Sequence, residues 1–99
     1  MYLDNYIEQI KVLCDQNKVK RLFVFGSVLT NRFNESSDVD MLVDIALTDL
    51  FEYAESYFDL KFKLQELLNR SVDLLEEKSL KNSYLFENIN KSKKLIYGA

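Results

Sequence analysis

The chain has 99 residues, 47% of them hydrophobic and 13% aromatic, which suits one domain with a real core and is too short for two. A formal charge of −3 argues against a broad electrostatic surface for DNA or RNA backbones. With no histidine and one cysteine, His-based catalysis, zinc knuckles, iron–sulfur clusters and internal disulfides are excluded, leaving carboxylates, hydroxyls, Lys, Arg and hard cations.

In chain order, Leu3, Tyr6, Ile7, Ile10, Leu13 and Cys14 recur at helical spacing, with Asp4, Glu8, Lys11 and Asp15 opposite. This predicts an amphipathic helix over 2–16 with Cys14 packed inertly on its core side. Residues 19–25, VKRLFVF, read as a buried strand ending at Gly26, and 39–45, VDMLVDI, as a second strand. The polar stretch between them carries Val28, Leu29 and Phe33, which can anchor a short helix. Residues 49–69 form the longest helical pattern, opened by an Asp49/Glu52 capping box and stopped at Asn69. A third strand follows over 71–75, a helix over 80–91, and the closing KKLIYG is a last strand or a helix tail. The order α-β-α-β-α-β-α implies a single domain over 1–99, a mixed three- or four-stranded sheet backed by helices, of the α/β or α+β class. No apolar run approaches the roughly 20 residues that span a bilayer. The amino-terminal MYLDNYIEQIK is acidic and amphipathic, unlike a signal or transit peptide, so a cytoplasmic protein without membrane partners is expected.

The chemistry concentrates at strand boundaries. Gly26-Ser27 ends the first strand, Asp38-Val39-Asp40 opens the second, and Asp73 interrupts the otherwise apolar third. Taken singly, these are an ordinary turn, a solvated or capping pair, and a water-facing acid. Together they say more. Asp38 and Asp40 are two apart on extended backbone, so both carboxylates point to one face and repel. Lys and Arg are absent from residues 33–60, and a divalent cation such as Mg²⁺ would relieve the repulsion. If the third strand pairs beside the second, Asp73 joins them. Three acids can hold two metals about 4 Å apart, the arrangement used for in-line phosphoryl or nucleotidyl transfer. A Gly-Ser where a strand feeds a helix lets backbone N–H groups approach a phosphate, with the Ser hydroxyl and the helix N-terminus as further donors. A polyphosphate site beside a metal cluster suggests a nucleoside triphosphate. Asp44 shares the strand parity but lies too far along, and is read as solvated or structural.

FVFGSVLTNRFNESSDVDMLVDI followed by VDLL resembles the minimal nucleotidyltransferases of the DNA polymerase β-like superfamily, whose pattern is strand, Gly-Ser, spacer, Asp-x-Asp and a later strand Asp. Ten residues separate Ser27 from Asp38, a spacer typical of the family, and the resemblance covers nearly the whole chain. It implies that Gly26 and Ser27 bind the triphosphate of ATP. It also implies that Asp38 and Asp40 hold two Mg²⁺ ions, and that Asp73 completes the metal site and helps activate the attacking hydroxyl. The chain departs from the pattern after Gly-Ser: the family's small-residue, Arg and Gly run is replaced by Val28-Leu29-Thr30-Asn31, with Arg32 as the substitute Arg. An aspartyl-nucleophile phosphatase is rejected because its Asp-x-Asp follows the apolar strand, and sugar-nucleotide glycosyltransferases need a longer chain.

So short a transferase leaves little room for an acceptor pocket. The resemblance implies a partner, a small helical HEPN-type toxin, with this chain as the antitoxin that moves AMP from ATP to a partner hydroxyl, a Tyr. Alternatives are an antitoxin that neutralises by contact alone and transfer to a small molecule such as an antibiotic. No direct nucleic-acid partner is expected. Tyr2, Tyr6, Tyr53, Tyr57, Tyr84 and Tyr97 are read either as interface aromatics or as the rim of the core.

Overall fold

The Val- and Phe-rich runs form strands where the sequence puts them, β1 (Val19–Phe25) and β2 (Val39–Ile45), joined by a segment that begins with a 3-10 turn over Gly26–Leu29. In the computed structural model, which describes residues 1–80 and 84–98, a 3-10 turn over Tyr2–Tyr6 and α1 (Ile7–Gln16) precede them. Then come α2 (Leu50–Leu68), β3 (Val72–Glu76), a 3-10 turn over Glu77–Ser79, α3 (Tyr84–Ser92) and β4 (Lys94–Gly98). The sheet is mixed and four-stranded in the order β3-β2-β1-β4; β1 runs antiparallel to β2 and to β4, while β2 and β3 are parallel. A parallel pair needs a long crossover, and α2 supplies it.

One face of the sheet is apolar and carries the main core. Val39, Met41, Val43 and Ile45 of β2 alternate onto it, beside Leu22 and Val24 of β1. The pairing of β1 with β2 slips between Val19 and Arg21, so Val19 joins Leu22 and Val24 in the core although the spacing is odd. Leu60, Leu64 and Leu68, each one helical turn apart on α2, cover this face together with Ile10 and Cys14 of α1 and Leu3. Burying one such Leu side chain contributes about 2 kcal/mol.

The ends of α2 follow their capping residues. Asp49 Oδ2 accepts from the Glu52 backbone N–H at 3.0 Å, a cap worth about 1 kcal/mol. Asn69 adopts the left-handed conformation (φ 51°, ψ 44°) that stops the helix.

Several expectations need adjusting. The first turn of the 2–16 helix is 3-10, with the Met1 ammonium on Asp4 Oδ2 at 2.8 Å and the Tyr2 hydroxyl donating to Leu68 O at 3.2 Å. The second contact ties the first residues to the end of α2, the first closes the turn on itself, and both accompany the tighter winding. The short helix expected between the first strands is the single turn Gly26–Leu29, with Phe33 outside it. The third strand starts at Val72 rather than 71. In the expected 80–91 helix, Leu80 instead closes the Glu77–Ser79 turn by donating to Glu77 O at 3.2 Å; residues 81–83 lie outside the described residues, and the helix runs Tyr84–Ser92. KKLIYG contributes an edge strand. Among the described residues no helix is long and apolar enough to cross a membrane.

Candidate active site

Strand direction gathers the boundary motifs. Because β1 and β2 are antiparallel, the end of β1 lies beside the start of β2; because β2 and β3 are parallel, β3 also starts there. The register pairs Phe25 with Asp40 and Asp40 with Asp73. Paired residues on neighbouring strands share a face, about 4.8 Å apart, so Asp40 and Asp73 stand side by side on the face opposite the main core. Asp38 lies exposed in the segment that enters β2. Gly26 adjoins the pair: its φ is +77°, and a Cβ built there would meet Asp40 Oδ2 at 2.5 Å.

The electrostatics follow. Burial holds the Asp40 carboxyl above the usual carboxylate range, and the charges of Asp73 and then Asp38 add to the rise. Among the described residues none of the three acids has a salt-bridge partner. They are not drawn together into a ready three-ligand cage; the sheet fixes two and a loop carries the third. An all-carboxylate donor set with unrelieved repulsion and no Cβ at Gly26 fits a hard divalent cation such as Mg²⁺.

The Gly-Ser turn differs from expectation in one respect. It is four residues of 3-10 winding rather than the start of a full helix, so its donors are local backbone N–H groups without a helix dipole behind them. Ser27 O accepts from Thr30 N and from Thr30 Oγ1, both at 2.9 Å, which holds the turn shut. The Ser27 hydroxyl is left without a partner among the described residues. A cleft of about 470 Å³, lined in part by Val28, Leu29, Thr30 and Asn31, opens beside this turn but contains none of the three acids. Arg32, the substitute Arg of the sequence reading, is exposed on the following loop.

Asp44 is structural. It is 8% exposed, and its Oδ2 lies 3.3 Å from Arg21 Nη2, while Arg21 also makes a two-pronged contact with Glu77 at 3.0 and 3.1 Å. Five of the six tyrosines, Tyr2, Tyr6, Tyr53, Tyr57 and Tyr97, pack against the core, so the rim reading holds for them; Tyr84 is 85% exposed. Cys14 is fully buried and its thiol is pushed up to about 12 by burial, as inert packing requires.

Arg70 escaped the sequence reading. It sits between the end of α2 and β3, and its Nη1 donates to Asn34 O at 3.0 Å and Ser37 O at 2.7 Å. Its guanidinium carbon lies 4.5 Å from the Tyr2 ring centre and 4.4 Å from that of Phe33. Neither spacing nor local pattern signals a contact made over thirty residues away.

The polymerase beta, nucleotidyltransferase family matches residues 8–99. Two Methanocaldococcus jannaschii proteins, both provisionally named protein adenylyltransferases, are similar to this chain. One is 37% and the other 34% identical over 87 residues, each alignment covering 88% of this chain and 84% of the relative. A toxin–antitoxin crystal structure with AMP-PNP superposes at a TM-score of 0.73 and 25% identity, over 94% of this chain and 73% of the other. A solved structure provisionally described as a minimal nucleotidyltransferase gives 0.72 and 31%, over 93% and 90%.

Proposed function

This chain belongs to the polymerase beta, nucleotidyltransferase family, and we propose that it transfers AMP from ATP to a hydroxyl, a Tyr, of a HEPN-type toxin partner and so acts as an antitoxin. The observation that supports this most directly is the Asp40–Asp73 pair in register with the side-chain-free Gly26 against Asp40. Naming of relatives as protein adenylyltransferases and the toxin–antitoxin neighbour bearing AMP-PNP favour a nucleotide donor and a protein acceptor.

In this reading the Gly26-Ser27 turn directs backbone N–H groups and the free Ser27 hydroxyl to the triphosphate. Asp38, Asp40 and Asp73 would hold Mg²⁺, which supplies positive charge for the phosphate oxygens and for the leaving pyrophosphate. Asp73, at the exposed start of β3, accepts the proton of the attacking hydroxyl. The acceptor oxygen forms a bond to the α-phosphorus as the bond from that phosphorus to pyrophosphate breaks, giving an AMP ester and pyrophosphate. The Asp40 carboxyl, already burdened by burial and by two acidic neighbours, gains most from a bound cation.

The test incubates the chain with Mg²⁺, α-labelled ATP and the protein encoded beside it. Label on that neighbour, lost in Asp38→Ala and Asp73→Ala, is the expected outcome; equal neutralisation of the toxin by wild type and Asp40→Ala would overturn it. A contact-only antitoxin is the second reading, favoured by Val28-Leu29-Thr30-Asn31 standing after Gly26-Ser27 in place of a small-residue, Arg and Gly run.

A further inference from the structure

The loop between the Gly-Ser turn and β2 has to place Asp38 beside two acids that repel it. Within residues 33–38 nothing supplies an opposing charge, since Lys and Arg are absent from residues 33–60, and Arg32, earlier in the loop, forms no salt bridge among the described residues. The hold comes from elsewhere. Arg70 Nη1 takes the carbonyls of Asn34 and Ser37, and Ser71 O accepts from the backbone N–H of Val39 at 3.0 Å. The peptide neighbours of Asp38 on both sides are therefore tied to residues 70 and 71, three and two positions before Asp73, which pairs with Asp40.

We propose that Arg70 is a positioning residue for the metal-binding acids: it fixes the loop so that Asp38 is referenced to the same short segment that sets Asp73. The inference rests on the acids being the cation site of the proposed function. Its chemistry suits that task. Arg70 binds main-chain carbonyls and not the carboxylates, so the loop is held while the negative charge of the site stays available to a cation. A guanidinium is also the group the geometry requires. It is planar enough to lie against both Tyr2 and Phe33, and its fork reaches two carbonyls from one nitrogen. Its Nε is buried without a partner among the described residues, so its hydrogen bonds there go to the loop carbonyls alone. A lysine keeps the charge but can neither stack in this way nor be held in plane.

The experiment uses Arg70→Lys and, as a second variant that keeps the Arg70 charge and trims the ring it lies against, Phe33→Leu. Mn²⁺ binding is measured directly by calorimetry, the Mg²⁺ requirement of transfer is titrated, and backbone exchange of residues 34–39 is followed by mass spectrometry. Roughly 10- to 100-fold weaker Mn²⁺ affinity is expected for Arg70→Lys, as for other partners that orient metal ligands. Phe33→Leu moves the same way by less. Faster exchange at 34–39 should accompany it, with the Michaelis constant for ATP changed less than the Mg²⁺ requirement. Wild-type Mn²⁺ affinity and wild-type exchange in a folded Arg70→Lys protein would overturn the proposal. Because exchange does not depend on turnover, a chain that transfers nothing but loses protection at 34–39 in Arg70→Lys would refute the proposed activity and leave the positioning role standing.

Discussion

Gly26 and Asp40 are matched to each other: the residue that lacks a side chain lies where a Cβ would come within 2.5 Å of Asp40 Oδ2, and its φ of +77° is one that other residues rarely adopt. Gly26→Ala is therefore penalised twice. The left-handed backbone alone costs an alanine about 1–2 kcal/mol, and the new methyl must displace the carboxylate. Thermal melting should show a modest loss, whereas labelled-AMP transfer should fall far more than the lost stability explains. A variant with wild-type transfer would show that Asp40 need not stand where it does.

Asp40 carries its charge at the expense of folding. Its folded pKa lies above its ordinary value of 3.8, chiefly through burial and then through Asp73 and Asp38. For a carboxyl shifted this way, the stabilising contribution is complete below pH 3.8 and is lost as pH rises through the folded pKa. At neutral pH without divalent cations, Asp40→Asn should accordingly melt above wild type, since 1 kcal/mol corresponds to roughly 4–8 °C in a chain of this size. Transfer should be abolished. Mg²⁺ should raise the melting temperature of wild type and leave Asp40→Asn nearly unmoved, which differential scanning fluorimetry reads directly.

Much of this site was legible because short-range rules governed it. β1 and β2 match their runs of Val, Phe and Leu residue for residue, and Asp49 and Asn69 bound α2 through local hydrogen bonds and backbone conformation. The conditional reading that the third strand pairs beside the second matches the register of Asp40 with Asp73, whereas Asp38, paired with Asp40 by parity, lies one residue outside the strand. What escaped depends on distant partners. The 3-10 winding of the first turn accompanies Tyr2 reaching Leu68, and the loop before Asp38 is held by Arg70. Asp44 looked like a surplus acid until β1 brought Arg21 alongside it. A periodicity argument sees a residue's face, not which side chain from another element arrives there.

Arg21 makes that last contact testable. It joins Asp44 on β2 to Glu77 just past β3, on the face that carries Asp40 and Asp73 but at the far end of the strands. Arg21→Ala leaves two carboxylates facing each other with Asp44 buried, and breaking such a pair costs about 3 kcal/mol, the low end of the range because the arginine is partly exposed. Chemical denaturation should show that loss. Transfer measured well below the melting temperature should stay near wild type, since none of the three residues reaches the Gly-Ser turn or the Asp40–Asp73 pair. A collapse of activity without loss of stability would give this ion network a role in the site.

Tyr57 is the remaining rival for the proton that Asp73 is assigned. Its hydroxyl donates to Leu74 O at 2.6 Å, next to Asp73, and so lies within electrostatic reach of the acids. Burial, then Glu76, then Asp73 all push its pKa above the ordinary 10, which keeps it protonated across the range in which transfer can be assayed. A protonated phenol already donating to a carbonyl cannot serve as the base. Tyr57→Phe should consequently lose about 1 kcal/mol from the missing hydrogen bond and keep the acidic limb of the pH–rate profile. Asp73→Asn should remove transfer at every pH. If Tyr57→Phe instead erased that limb while binding of ATP persisted, the proton would have to pass through the tyrosine.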